Sequence, residues 1–94
     1  MNLTVLTPDN EIFQGEVSSV KVPGADGQFE VLKGHAPVVS ALVEGNVRLR
    51  KQDNSLMNFN IHKGFIEVLN NEIALLVQGV TDVAEYLRDR LIIK

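Results

Sequence analysis

Cysteine is absent from the sequence, so no disulfide framework can hold the chain, and it fits a reducing compartment. Long basic runs are absent too. Arg48, Arg50 and Lys51 form the largest cluster of cations, and the formal net charge is -3. Nucleic-acid binding normally leaves a larger basic footprint, so no nucleic-acid partner is expected. No apolar run approaches the ~20 residues that a membrane-spanning helix needs; Ile73-Ala74-Leu75-Leu76-Val77 is typical of what there is. The opening Met1-Asn2-Leu3-Thr4 has neither the charged n-region and long h-region of a signal peptide nor the Arg- and Ser-rich character of a transit peptide. The expectation is a soluble intracellular protein with no direct membrane insertion, reaching any membrane only through a partner.

What is present is a strong period-two pattern. Leu3, Val5 and Thr7 alternate with Thr4 and Leu6. Val47 and Leu49 alternate with Arg48 and Arg50, and Met57, Phe59 and Ile61 with Asn58, Asn60 and His62. In a strand this spacing separates an apolar face from a polar one. Turn residues interrupt the pattern about every ten positions, at Pro8-Asp9-Asn10, Pro23 to Gly27, Lys33-Gly34, Glu44-Gly45-Asn46, Gln52-Asp53-Asn54, Lys63-Gly64 and Asn70-Asn71. Many short strands between such turns predict an all-β antiparallel sandwich or barrel. Strands are expected near residues 3–7, 11–14, 16–22, 28–32, 38–42, 46–51, 56–62, 65–69 and 72–78. After Gly79 the spacing changes: Asp82 with Glu85 resembles a capping box, and Val83, Leu87 and Leu91 recur at helical spacing. A sandwich over residues 1–82 and a short C-terminal helix over 83–94 are therefore expected.

No constellation for chemistry emerges. His35 and His62 lie in different segments without a ligand set around them, and structural roles fit both better than catalytic ones. Ser18, Ser19, Ser40 and Ser55 lie in no nucleophile-elbow context. Gly24-Ala25-Asp26-Gly27 lacks the Lys-Ser/Thr and the following helix of a phosphate loop, so it reads as a tight strand connection. Asp26 and Glu30 are too few hard ligands for calcium. No catalytic residue, cofactor or metal is expected.

One segment is richer than a generic sandwich requires. It runs Val20-Lys21-Val22-Pro23-Gly24-Ala25-Asp26-Gly27-Gln28-Phe29-Glu30-Val31-Leu32-Lys33-Gly34-His35-Ala36-Pro37-Val38-Val39-Ser40-Ala41-Leu42. Gly34 permits conformations closed to other residues, and Pro37 removes a donor and biases Ala36 to extended geometry, so the tetrapeptide reads as a shaped corner. The poorly alternating run Val38-Val39-Ser40-Ala41-Leu42-Val43 suits a strand covered on both faces, by its own fold or by another protein. The segment closely resembles the signature of F-type ATP synthase epsilon subunits, as do Ile12-Phe13-Gln14-Gly15-Glu16-Val17 upstream and Gly64-Phe65-Ile66-Glu67-Val68 downstream.

The resemblance implies a flattened β-sandwich of about ten short antiparallel strands. It implies a non-catalytic central-stalk subunit that couples the gamma subunit to the c-subunit ring, at the cytoplasmic face of the bacterial plasma membrane. It places Thr7, His35, Ala36, Pro37, Val38, Val39 and Ser40 toward gamma, and Asp26, Gln28 and Glu30 toward the c ring. Gln28 stands where some relatives carry a carboxylate. In the stretch matching the ATP-binding pattern of some relatives, Ala84 replaces the Asp and Leu87 the Arg, so no ATP binding is expected. A tail of roughly ten residues would reach only about 15 Å as a helix. It is thus not expected to act as the extended brake on hydrolysis that longer epsilon subunits possess. The alternative is a free-standing β-sandwich ligand-binding module. A stalk subunit should expose a large apolar patch, and a free module should not.

Overall fold

The structure, a computed structural model, describes residues 1–87 and 90–92, with side chains through Tyr86. Ten strands follow one another: β1 (Asn2–Leu6), β2 (Glu11–Gly24), β3 (Gly27–Leu32), β4 (Val38–Leu42), β5 (Gly45–Lys51), β6 (Leu56–Ile61), β7 (Lys63–Leu69), β8 (Glu72–Gln78), β9 (Thr81–Leu87) and β10 (Arg90–Ile92). They hydrogen-bond in the order β1-β8-β7-β4-β2-β5-β6-β9-β10, with β3 beside β2 and a further pairing of β1 with β2. The all-β expectation is met.

β2 organises the two layers. Its 14 residues would extend to about 45 Å if straight, more than the 33 Å longest dimension of the molecule. It bends, and its two halves serve different neighbours. Residues 11–16 pair with β1, while 17–24 pair with β5 and β3. A bulge between Val17 and Ser19 shifts the register on β5, which increases local twist. The separate strands expected at 11–14 and 16–22 are thus one bent strand. One layer holds β1, β8, β7 and β4; the other holds β3, the second half of β2, β5, β6, β9 and β10.

The alternation decides what lies between the layers. Leu3, Val5, Val20, Val22, Val31, Val47, Leu49, Phe59, Ile61, Ile66, Val68, Leu75 and Val77 are all almost fully buried in one cluster. Two corners carry the chain between layers, His62 from β6 to β7 and Gly79 from β8 to β9. The His62 amide donates to the Gln78 carbonyl at 2.9 Å. Gly79 has a φ of +71°, and a Cβ there would stand 2.7 Å from the Cβ of His62. Glycine is required on both counts.

Two expectations need correction. β1 and β8 run parallel, Leu3 beside Ile73 and Val5 beside Leu75, so the strands are not all antiparallel. The helix expected over 83–94 is not formed by the described residues, which make β9 and β10; residues 88, 89, 93 and 94 lie outside them. An isolated helix of ten residues is marginal, whereas the edge of β6 offers backbone groups that β9 satisfies, Leu56 facing Tyr86 and Asn58 facing Ala84. Asp82 does not cap a helix: it takes a φ of +55° at the register shift of β9, and its carboxylate accepts from the Asn60 amide at 3.1 Å. Glu85 reaches Lys51 on β5 at 3.3 Å. Val83 does not dock against the core and stays 55% exposed.

Candidate docking surfaces

Strand geometry puts the residues between the core positions onto the outside of each layer. On the layer of β1, β8, β7 and β4 this outer surface is apolar. In register across it, Leu6 adjoins Leu76, Leu76 adjoins Phe65, and Phe65 adjoins Ala41. The next row runs Thr4, Ala74, Glu67 and Val39. Val39 is 72% exposed, Phe65 57% and Leu76 51%. A shallow groove of about 530 Å³ follows the first row, floored by Leu6, Ala41, Phe65 and Leu76 and bordered by Thr7, Pro8, Lys63 and Gln78. Gly64 lets β7 close on β8 beneath it, since a Cβ there would lie 2.4 Å from the Leu76 carbonyl oxygen. Large side chains bared in adjacent rows of one sheet mark an interaction surface.

The sequence-expected residues fall in three places. Thr7 closes the turn after β1, its hydroxyl donating to the Asn10 carbonyl at 3.1 Å and accepting the Asn10 amide at 3.0 Å, at the border of the groove. Asp26, Gln28, His35, Val38 and Ser40 come together around a second hollow of about 410 Å³, with Phe29 as its apolar wall. There the His35 ring stacks on Phe29 with centroids 6.5 Å apart. Its Nδ1 lies 2.7 Å from the Ala36 carbonyl, so that nitrogen carries the proton and donates. The His35 amide donates to the Leu32 carbonyl, and the Gly34 amide to the Asn71 side chain, so the entry to the corner is tied to the end of β3 and to the turn between β7 and β8. Ala36 and Pro37 are exposed at its tip, and the Ser40 hydroxyl donates to the Ala41 carbonyl. Val39 points the other way, onto the apolar surface. Glu30 stands apart from both groups, facing outward from β3 opposite Lys21 of β2.

Sequence reasoning missed Leu6, Phe65 and Leu76 as surface residues. The signal was present in the unbroken apolar stretch Ala74-Leu75-Leu76-Val77, which marks a strand covered on both faces. His62 lies at the corner after β6, sharing a shallow hollow with Asn60; its Nδ1 is 3.9 Å from Glu44, with both side chains exposed. Among the described residues no group of His, Asp and Glu could hold a metal ion, and no helix is long and apolar enough to cross a membrane. Every buried side-chain polar atom among them has a hydrogen-bond partner.

The arrangement defines a class: a small β-sandwich with one apolar outer layer and a shaped corner at one end. Residues 1–83 match the family model of the ATP synthase Delta/Epsilon chain, beta-sandwich domain, and the chain belongs to that family. It is 47% identical over 79 residues to the ATP synthase epsilon chain of Chlorobium limicola, covering 84% of this chain and 90% of that one. It is 40% identical over 83 residues to the epsilon chain of Protochlamydia amoebophila, of which it spans 56%. The same fold occurs in the Euglena gracilis mitochondrial ATP synthase OSCP/F1/c-ring structure, with a TM-score of 0.78 and 22% identity, over 84% of this chain and 51% of that one. It recurs in the Tetrahymena thermophila mitochondrial ATP synthase central stalk and c ring, with a TM-score of 0.75 and 16% identity, over 86% and 65%. The reading as a free-standing ligand-binding module is not favoured.

Proposed function

We propose that this chain is a non-catalytic rotor subunit that joins the gamma subunit to the c-subunit ring of a bacterial ATP synthase, on the cytoplasmic side of the plasma membrane. One observation carries the reading: the row Leu6, Leu76, Phe65 and Ala41, with Val39 beside it, is an apolar surface that a protein of this size does not leave in water without a partner. We assign gamma to this layer, together with Thr7 and the corner from His35 to Ser40. Asp26 and Gln28 at the tip of the β2–β3 hairpin, with Glu30 behind them, are assigned to the c-subunit loops. Because Asp26, Gln28, His35 and Ser40 share one hollow, the two contacts are neighbours, and torque passes between them through one rigid sheet corner. In this reading residues 1–82 form the docking body and 83–94 its tail, and neither binds ATP.

The absence of cysteine makes the test clean. Single cysteines at Ser40, Asp26 and Gln28 are introduced into the full chain, alkylated with a benzophenone maleimide and photolysed within the assembled complex, so that the bound ketone inserts into a C–H bond of whichever subunit it touches. Crosslinking of Ser40→Cys to gamma and of Asp26→Cys or Gln28→Cys to c supports the assignment. Crosslinking of Ser40→Cys without either hairpin position removes the c-ring contact, and failure at all three removes the proposal.

A further inference from the structure

The outer surface of the other layer has the opposite chemistry. Across β3, β2, β5 and β6 the register reads Glu30, Lys21, Arg48 and Asn58 in one row, and Leu32, Ser19, Arg50 and Leu56 in the next. Lys21, Arg48 and Arg50 are all exposed, and among the described residues none forms an ion pair. Lys21 and Arg48 stand directly opposite each other, a like-charge pairing that costs a sheet stability. Glu30 faces Lys21 from the other side and offsets part of that cost without closing an ion pair. Arg48 is held by its Nε, which donates to the Asn58 side-chain oxygen at 3.0 Å. That bond orients the guanidinium while its Nη groups stay available for a carboxylate. Among the described residues, a chain with a net charge of -3 has thus collected three cations without an ion pair on one face.

We propose that this face binds an acidic segment of another polypeptide, with carboxylates one helical turn apart seated on Arg48 and Arg50 and a third reaching Lys21. The spacing supports the match. Arg48 and Arg50 are two residues apart on one strand, about 6.7 Å along it, and side chains four apart on a helix lie roughly 5–6 Å from each other. A single phosphate would call for all three cations converging on one point, whereas Arg48 and Arg50 are spread along β5 and only Arg48 has Lys21 opposite it. The face is separate from the apolar layer, so the inference holds whether or not gamma docks there.

The test uses the full chain labelled with nitrogen-15 and poly-L-glutamate as probe. Amide shifts should concentrate at residues 19–21, 48–50 and 56–58 and should weaken as salt is raised. The triple variant Lys21→Gln, Arg48→Gln, Arg50→Gln should bind at least about tenfold more weakly. It should melt no lower than the parent, because a like-charge contact has been removed. The variant Lys33→Gln should bind as the parent does. Shifts spread equally to Lys33 and Lys63, or a triple variant with unchanged affinity, would overturn the proposal. So would tighter binding to phosphatidylglycerol vesicles or to inorganic phosphate than to the polypeptide.

Discussion

Val39 separates docking from folding more sharply than any other position. It is 72% exposed in the free chain and lies across from Glu67 on the apolar layer. Val39→Asp places the new carboxylate in water as long as the chain is alone. The cost to the fold is then a strand-propensity penalty of at most about 1 kcal/mol and, opposite Glu67, a like-charge penalty of at most about 1 kcal/mol more, together a fall in melting temperature of no more than about 16 °C. The bound state is different. Covering the remaining surface of a valine is worth about 1–2 kcal/mol, and an unpaired charge in a desolvated contact costs roughly 2 kcal/mol or more. Together these amount to at least about 3 kcal/mol, a loss of affinity of a hundredfold or more. Calorimetric titration of the variant with purified gamma subunit, paired with a thermal melt of the variant alone, reads both numbers. A melt near that of the parent together with a dissociation constant within about threefold of it would refute docking at Val39. A variant that no longer folds would refute the placement of Val39 on the surface.

Gly79→Ala should destabilise by more than about 2 kcal/mol, since the new Cβ meets His62 and the backbone is left-handed there; an unchanged melting temperature would contradict the corner. Phe59→Ala empties the largest fully buried position and should cost about 3–5 kcal/mol in denaturant unfolding, with hydrogen exchange accelerating throughout the core. The Asp53 carboxylate accepts from the Ser55 hydroxyl at 2.5 Å and from the Ser55 amide at 2.9 Å, and these bonds, the hydroxyl's first, hold its pKa below the usual value. A carboxyl depressed in the folded state adds stability above its unfolded pKa of about 3.9 and loses it as pH falls through the folded value. Asp53→Asn should therefore flatten the acid limb of a melting-temperature profile below about pH 4, and an identical limb would count against it. Calorimetry at millimolar ATP should show no heat of binding, and a saturable signal would reverse that assignment.

Much of the fold was legible because alternation is a local property. Leu3, Val5, Val47, Leu49, Met57, Phe59 and Ile61 are buried where period two puts them. The poor alternation of Val38 to Val43 was read as two-sided cover, and Val38 does pack inward while Val39 and Ala41 face out onto the apolar layer. Gly34 to Pro37 was read as a shaped corner, and the corner is held at its entry by the amides of Gly34 and His35, bonded to the Asn71 side chain and the Leu32 carbonyl. The tail was misread. Val83, Leu87 and Leu91 satisfy a helical period, but that period carries no information about an edge strand in need of hydrogen-bond partners, and β6 supplied one.

The amino-acid sequence by itself determined the fold class, the core-facing positions, the turns and the corner segment, because each follows from residues within a few positions of one another. Only the tertiary structure decided that β2 bends to serve both layers, that β1 runs parallel to β8, and that residues 81–87 extend the sheet. It alone joined Leu6, Leu76, Phe65 and Ala41 into one surface and set Lys21 against Arg48. These are matters of register between distant segments, settled by which backbone edges find partners once the core has closed.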